Sequence, residues 1–268
     1  MCIDAFVGKL REIDMAENTV KAYAQGVSFF FNEYDEVNKS NIESWKKKLL
    51  KTNAETTVNL RVNAINKYVK LMDLDVPHCE NIREQKKTYV ENVISLPDYQ
   101  YFKKRLHVDG KMTLYFAIWF MCSSGARVSE LLKITAEDVY IGHFEVKSKG
   151  GKTRRIYFPR KLCDECLRWL SSINRTSGYI FLNRFGKVFD KSGLGKEIKK
   201  CAKRYKLNPK DVHPHAFRHR FAISFLQKKN DLSLLADILG HSSIETTRIY
   251  VRQSADEQRQ ILDAIVNW

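Results

Sequence analysis

The hydrophobic period of this chain changes once, and that change constrains the fold more than any other feature of the sequence. Over residues 139–159 apolar side chains such as Val139, Ile141 and Ile156 alternate with polar ones, which is the period of a half-buried strand. The sequence Lys-Gly-Gly-Lys at 149–152 supplies a tight turn between two strands. Elsewhere apolar residues recur every three or four positions, as in amphipathic helices. The sequence therefore predicts a mainly α protein with one small antiparallel β-sheet.

Four amphipathic helices are predicted in the first part of the chain. They span about residues 2–13, 17–34, 40–52 and 55–73. Polar residues suited to cap the last three are Asn18-Thr19, Ser40-Asn41 and Thr56. Later helices are predicted near residues 112–122, 160–172, 192–206, 216–229, 231–239, 243–252 and 256–266.

A weakly patterned, charged stretch after Pro77 indicates a boundary between two domains. We expect a helical domain over residues 1–78, a linker over 79–90 and a second domain over 91–268. The second domain contains the predicted sheet among helices, and a C-terminal helix over 256–268 with an apolar stripe is expected to end it.

Positive charge is concentrated in the second domain. The net charge of the chain is +15, yet residues 1–85 hold 12 Lys and Arg against 13 Asp and Glu. The excess of basic residues therefore lies in residues 86–268. So one-sided an excess predicts a polyanionic partner, and nucleic acid fits it better than a membrane surface does.

No segment predicts secretion or insertion into a membrane. Asp4 and Lys9 interrupt the apolar residues at the start of the chain, and the longest apolar run, residues 112–122, is too short for a bilayer. We therefore expect a cytoplasmic protein.

The six cysteines show no disulfide framework. Cys163 and Cys166 have the spacing of metal ligands, but no second cysteine pair completes a four-ligand zinc site. We expect the two to lie on one buried face of a helix, with reduced thiols, and we expect neither a metal nor another cofactor.

The segment that opens with Gly125 and Arg127 is the first of four that carry candidate chemistry. A guanidinium at Arg127 can reach a phosphate while the leucines that follow anchor the backbone, and Glu130 lies three residues on, where it can orient the arginine. An ordinary ion pair within one helix explains the same residues.

The second segment is the hairpin turn, where Lys149, or Lys152 as a second candidate, can enter a DNA groove. A lysine-rich turn is also a common feature of surfaces.

The third segment contains His215 and Arg218, three residues apart on one face of a helix that Pro214 can start. A proton-transfer group beside an arginine that clamps an oxyanion suits phosphoryl transfer. Metal binding by His213, His215 and His219 is the competing interpretation, but no suitably spaced carboxylate or cysteine supports it.

The fourth segment runs from Gly240 through His241 to Tyr250. Gly240 predicts the end of one helix, Ser242-Ser243 the cap of the next, and Tyr250 then falls two turns into that helix. By itself this tyrosine would be interpreted as core, and residues 231–252 also resemble a helix-turn-helix.

Taken in order, these segments resemble the tyrosine recombinase (phage integrase) family, in its compact Xer-like or Cre-like form. The resemblance rests on SGARVSELL, HPHAFRHRFA and LGHSSIETTRIY as they stand in the sequence. It is strong over about residues 90–268 and loose over the N-terminal helices. It implies a SAM-like core-binding domain followed by an α+β catalytic domain.

The resemblance also implies roles. Arg127 and Arg218 would neutralise the scissile phosphate, and His241 would hydrogen-bond it in the transition state. His215 would exchange a proton with Tyr250, whose hydroxyl would attack phosphorus and leave a 3′-phosphotyrosine. Lys149 would protonate the departing 5′-hydroxyl, and Glu130 would support Arg127.

Independently of the resemblance, Arg61, Lys67 and Lys70 lie away from the apolar positions of their helix and suit a face turned to phosphates, although a solvated face is equally common. Lys152 and Arg220 are further candidates for contact with DNA.

The implied partner is a double-stranded DNA recombination site, bound by a homo-oligomer that is a tetramer in the synapse. An accessory directionality factor and association with the nucleoid are also expected. Two alternatives remain at this point: a type IB topoisomerase, which would use the same residues on one duplex, and a non-catalytic regulator that binds DNA through residues 231–252.

Overall fold

A computed structural model describes residues 3–83, 92–147, 153–241, 243–250 and 263 of the protein. The chain divides into two compact units, Met1–Lys86 and Lys87–Trp268. Among the described residues, no helix combines the length and the apolarity that crossing a bilayer requires.

The first unit consists of helices packed around an aromatic core. They are α1 (Ile3–Glu12), α2 (Glu17–Phe31), α3 (Lys39–Leu50) and α4 (Glu55–Leu71). Phe6, Phe30 and Trp45 are fully buried, and the rings of Phe30 and Trp45 meet edge to face with their centroids 5.1 Å apart. Such a cluster stabilises the unit because it removes large apolar surfaces from water.

The predicted caps of these helices are wrong in detail, although the helices themselves are confirmed. Helices α2, α3 and α4 each begin one residue before the first capping residue predicted. Helices α2 and α4 start with Glu17 and Glu55, whose negative charge is favourable at a helix N-terminus. Helix α3 is capped two residues earlier than expected, by the side chain of Asn38, which accepts from the N–H of Asn41.

The chain just after α4 is tied to that helix by two asparagine side chains. Asn59 donates to the carbonyl of Ile82 at 2.9 Å and accepts from its N–H at 2.7 Å. Asn66 makes the same pair of bonds with Cys79. Residues 79–82 therefore pack on the first unit, and the linker predicted over 79–90 otherwise lies mostly outside the described residues.

The second unit is mostly helical around one small sheet. Its helices are α5 (Leu96–Val108), α6 (Met112–Ser124), α7 (Val128–Leu131), α8 (Ala136–Ile141), α9 (Arg160–Ser172), α10 (Lys191–Arg204), α11 (Pro214–Lys229), α12 (Leu232–Leu239) and α13 (Glu245–Arg248). The strands β1 (His143–Lys147) and β2 (Thr153–Tyr157) pair antiparallel, with Phe144 opposite Ile156. The predicted fold class, mainly α with a small antiparallel sheet, is confirmed.

The first strand was predicted to begin too early. Val139 and Ile141 lie in α8 because Thr135 and Asp138 form a capping box, in which each side chain accepts from the other residue's N–H. That pair of bonds starts a short helix where the apolar alternation alone indicated a strand.

The central helix of the second unit is α6, whose side chains are apolar around almost its whole circumference. It packs against α5, α9, α10 and α11, so it needs no polar face. The C-terminal helix predicted over 256–268 lies outside the described residues, apart from Asp263.

Candidate active site

The turn that ends α6 sets the position of the first candidate arginine. Gly125 has a φ of +67°, a left-handed conformation that suits glycine. A Cβ built there would lie 2.7 Å from Leu239 Cδ2 and 2.7 Å from Phe221 Cδ1. The chain therefore passes α11 and α12 at a separation that only glycine permits, two residues before Arg127.

We expect Gly125→Ala to lower the free energy of unfolding by about 2–4 kcal/mol, because backbone strain and overpacking add. Gly110→Ala is the matched control, since Gly110 has a φ of +64° but a Cβ added there would have no atom within 4 Å. Urea denaturation of both variants measures the difference. Equal losses in the two variants would refute the close approach at Gly125.

Arg127 is oriented by Glu130, as the sequence predicted. The backbone N–H of Arg127 donates to Glu130 Oε2 at 2.7 Å, and its Nη1 donates to Oε1 at 3.0 Å. Burial by itself would raise the pKa of Glu130, but these hydrogen bonds and the charge of Arg154 outweigh it and lower the pKa. Glu130 is therefore an ionised carboxylate that holds Arg127 in place.

Helix α11 carries the next two candidates. His213 caps it, because its Nδ1 accepts from the N–H of Ala216 at 3.2 Å, and Pro214 occupies the first turn. His215 and Arg218 follow on the same helix. Burial, and then the charges of Arg218 and Arg127, lower the pKa of His215, so its imidazole is neutral at pH 7.

Among the candidate cations that the structure describes, Arg218 is the most deeply buried, with 4% of its surface exposed. Its Nη1 donates to the carbonyl of Gly125 at 2.6 Å, and its Nη2 donates to the carbonyl of Leu239 at 2.8 Å. Burial, and then the charge of Arg127, lower the pKa of Arg218 to about 10. The group remains a cation at pH 7.

Three successive carbonyls at the end of α12 each accept from a different arginine. Ile238 accepts from Arg154 Nη1 at 2.6 Å, Leu239 from Arg218 Nη2 at 2.8 Å and Gly240 from Arg127 Nη2 at 3.2 Å. The last carbonyls of a helix lack partners within the helix and carry its negative dipole end. This end of α12 therefore gathers positive charge at one place.

Sequence reasoning missed Arg154. It has the same strand parity as Ile156, which is buried, so the period of two places its side chain on the inward face. A charged residue on the inward face of a half-buried strand requires a partner of opposite charge. That requirement was the available signal, and Glu130 is the partner, 2.8 Å from Arg154 Nη2.

His241 follows the α12 turn and is held at both ring nitrogens. Its Nε2 lies 3.0 Å from Arg218 Nη2, and its Nδ1 lies 2.8 Å from Thr247 Oγ1. An arginine only donates, so Nε2 accepts and the proton of the neutral ring resides on Nδ1. Burial, and then the charges of Arg218 and Arg127, lower the pKa of His241 to about 4.

Tyr250 lies outside the helix in which it was predicted. Helix α13 spans only Glu245–Arg248. Tyr250 follows in a turn, where its backbone N–H donates to the carbonyl of Thr247. The ring packs against an apolar cluster formed by α11 and α12. Burial raises the pKa of Tyr250, while the charge of Arg218 opposes that rise.

The hydroxyl of Tyr250 contacts His219, a residue that sequence reasoning considered only as a metal ligand. The hydroxyl oxygen lies 2.6 Å from His219 Nδ1. Burial, and then the charge of His215, lower the pKa of His219 to about 4, so this ring is also neutral at pH 7. The spacing of His219 from Arg218 gave no reason to choose it over His215.

The structure brings several predicted residues together. Arg127, Arg218 and His241 meet at the end of α12. The charges of Arg218 and Arg127 also lower the pKa of His215, after the larger effect of burial. Lys149 and Lys152 lie outside the described residues. Arg220 donates from Nε to the carbonyl of Ile94 at 2.7 Å.

The remaining DNA-contact candidates belong to the first unit, on α4. Lys70 is exposed, and Lys67 is partly exposed. Arg61 lies over the ring of Phe29, 4.9 Å from its centroid. Contacts of these three with DNA remain predictions.

The cysteine and histidine sets considered as metal ligands do not form such a site in the described part of the chain. No group of three histidine, cysteine, aspartate or glutamate residues there is placed to hold an ion. Cys163 and Cys166 both lie on the buried face of α9, as the sequence predicted.

Comparison with known proteins identifies the family of this chain. Residues 98–257 match the phage integrase family. The chain is 27% identical, over 97% of its length and 92% of the relative's, to the tyrosine recombinase XerA of Pyrococcus horikoshii.

Solved structures share the fold, including two of integrases. The Tn1549 transposon integrase in complex with circular intermediate DNA has a TM-score of 0.75 at 17% identity, over 98% of this chain and 99% of that one. A lambda integrase tetramer bound to a Holliday junction has a TM-score of 0.73 at 13% identity, over 94% and 78%. Because the family match covers more than half of its residues, the chain belongs to the phage integrase family and is a site-specific tyrosine recombinase.

Proposed function

We propose that this recombinase cleaves and rejoins DNA through a covalent 3′-phosphotyrosine at Tyr250, without a metal ion or ATP. The observation that carries the proposal is the convergence of Arg127, Arg218 and His241 on the turn after α12. That turn leads directly into the segment that ends at Tyr250.

The arginines supply the charge that the reaction needs. A phosphodiester resists attack because its negative charge repels a nucleophile, and preorganised cations stabilise the additional charge of the transition state. Arg127 and Arg218 would bind the two non-bridging oxygens, a task that Mg²⁺ performs in other enzymes. Glu130 and the carbonyl of Gly240 already fix Arg127, and the carbonyls of Gly125 and Leu239 fix Arg218. Little reorganisation is therefore required when DNA binds.

The chemical step exchanges one phosphodiester for another. The Tyr250 oxygen attacks phosphorus as the bond to the 5′-oxygen breaks; the phenol proton passes to an imidazole, and Lys149 protonates the leaving 5′-oxygen. The energy of the broken bond is retained in the phosphotyrosine, so a 5′-hydroxyl from another strand can reverse the step without ATP.

Two imidazoles are candidates for the phenol proton. The family resemblance implies His215, whereas His219 is the ring within hydrogen-bond distance of the hydroxyl, at 2.6 Å. Both are neutral at pH 7 because burial lowers both pKa values. Each can therefore accept a proton.

We expect His219→Gln to slow single-turnover cleavage at saturating DNA by about 10- to 100-fold, because a positioned proton acceptor contributes at least that much. His215→Gln, measured in parallel, separates the two imidazoles. A normal rate for His219→Gln with a slow His215→Gln would assign the proton to His215 and leave the His219 contact a feature of the DNA-free state.

The proposed partner is duplex DNA bound by several copies of the chain. The excess of positive charge in residues 86–268 supports DNA as the partner. Of the two similar solved structures, one is an integrase in complex with DNA and the other a tetramer bound to a Holliday junction. A tetramer on two recombination sites is the assembly we propose, by analogy with the lambda integrase tetramer. An accessory factor that sets the direction of recombination would be a further partner.

A non-catalytic regulator fits the site less well. In the described residues, the second helix of the proposed helix-turn-helix is the single turn Glu245–Arg248. His241 contacts both Thr247 and Arg218, and Thr247 is fully buried, so these two side chains are not free to read a DNA groove as those of a recognition helix are.

Trapping the covalent complex tests the proposal. The protein is incubated, in EDTA and without nucleotide, with a pool of nicked duplexes randomised around the nick, so that a short 5′-hydroxyl fragment diffuses away after cleavage. Adducts that survive SDS are recovered, and their DNA is sequenced. After digestion, mass spectrometry should find a nucleotide joined through its 3′-phosphate to Tyr250. No adduct, or an adduct on another residue, would overturn the proposal.

A further inference from the structure

Arg127, Arg154 and Arg218 form an arginine cluster at the end of α12. Neither the family resemblance nor the sequence motifs select Arg154. It projects from β2, and 13% of its side chain is exposed. One nitrogen, Nη1, donates to the carbonyl of Ile238 at 2.6 Å, and the other, Nη2, donates to Glu130 Oε1 at 2.8 Å. The side chain therefore links β2 to both α7 and the end of α12.

Arg154 and Arg127 share one carboxylate. Glu130 Oε1 accepts from Arg154 Nη2 at 2.8 Å and from Arg127 Nη1 at 3.0 Å. Without Arg154, Oε1 would keep a single guanidinium partner and could shift toward it, whereas two guanidiniums together hold its position. The position of Arg127 therefore depends on Arg154 through Glu130.

The turn after α12 also rests on Arg154. Gly240 has a φ of +63°, and a Cβ built there would lie 2.4 Å from Arg154 Nε and 2.6 Å from its Cδ. The backbone that carries the carbonyls bonded to Arg218 and Arg127 is thus supported by the Arg154 side chain. Removing that side chain would leave a gap beneath the turn and free the carbonyl of Ile238.

We infer that Arg154 is a positioning residue for the recombination reaction, which holds Glu130 and the α12 turn so that Arg127 and Arg218 aim at the scissile phosphate. The inference rests on the proposed function. Arg154 bonds Glu130, which orients Arg127, and the carbonyl of Ile238, which precedes the carbonyl bonded to Arg218, so its effect on the phosphate passes through the other two arginines. It also offsets the charge of Glu130, so that the cluster remains net positive toward DNA.

The neighbouring residue provides a matched control. Arg155 lies on the same strand but on the opposite face, where it pairs with Glu145 at 2.8 Å, and more than half of each side chain is exposed. Arg155→Gln removes the same charge from β2 without touching the cluster.

The test compares Arg154→Gln, Arg154→Lys and Arg155→Gln on a nicked duplex recovered with the wild-type protein. Cleavage is measured in single turnover at saturating DNA, binding by fluorescence anisotropy, and folding by thermal denaturation. We expect Arg154→Gln to cleave about 100-fold more slowly at an unchanged Kd, since misplacement by about 1 Å has effects of that size. Arg154→Lys keeps the charge but cannot reach both acceptors, so its loss should be about tenfold.

Each outcome decides the inference. Arg154→Gln that folds and cleaves as fast as Arg155→Gln overturns it, as does a loss explained fully by weaker binding. If Arg154→Gln does not fold, Arg154→Lys decides, and a wild-type rate in that variant overturns the inference. Failure of the wild-type protein itself to form an adduct would instead refute the proposed function.

Discussion

Tyr250→Phe should form no covalent complex with DNA, a loss of at least about 10⁴-fold in cleavage, because the removed oxygen is the proposed nucleophile. DNA binding should remain, because the substitution removes none of the cations that would contact phosphate. The fold should lose little stability, about 1–2 kcal/mol, because the substitution leaves His219 Nδ1 without the partner it has at 2.6 Å.

Tyr140→Phe is the control for that experiment. Tyr140 lies in the same unit, on α8, and 81% of its surface is exposed, so losing its hydroxyl should change neither cleavage nor binding. SDS gels of protein incubated with a nicked duplex measure the adduct directly. An adduct that forms as well with Tyr250→Phe as with the wild type would show that another side chain attacks.

Much of the fold could be predicted because the hydrophobic patterns of several helices extend over many residues. The helix ending at Leu71 sustains one apolar period over several turns. The helix ending at Ser124 has no polar face, and it was predicted instead from the length of its apolar run. The period failed over residues 136–141, where six residues are too few to distinguish helix from strand. There a local capping box, Thr135 with Asp138, decides the structure.

The candidate site was predictable to the extent that its residues lie in ordered motifs. Arg127 with Glu130 is a contact between neighbours in sequence, and the structure contains it. Arg154 and His219 were missed because their partners, Ile238 and Tyr250, are distant in sequence. Such contacts depend on how β2, α11 and α12 pack, which a local pattern does not specify.

The same tertiary packing explains why Tyr250 is not in a helix. The sequence around it is apolar enough for a helical core position, but α13 ends at Arg248. Thr247 is fully buried and bonded to His241, so the segment is held by the site rather than by its own helical bonds. The position of the proposed nucleophile is thus set by the residues that would act on the phosphate.

Arg218→Gln is expected to reduce cleavage at saturating DNA by about 10³-fold, at the upper end of what removing one oxyanion-binding donor does. Its effect on stability should be much smaller. Burial and the charge of Arg127 lower the pKa of Arg218 to about 10, so below that pH the buried charge opposes folding. Losing that charge offsets part of the loss of hydrogen bonds to Gly125 and Leu239.

A substrate with a neutral phosphate isolates the contribution of that charge. In a methylphosphonate, one non-bridging oxygen is replaced by methyl, so the negative charge that Arg218 would neutralise is absent. If Arg218 acts as proposed, the defect of Arg218→Gln on this substrate should shrink to about tenfold or less. A defect of equal size on both substrates would mean that Arg218 serves to hold the carbonyls of Gly125 and Leu239 and the ring of His241. The buried cation would then be structural, and the charge needed at phosphorus would have to come from Arg127 alone.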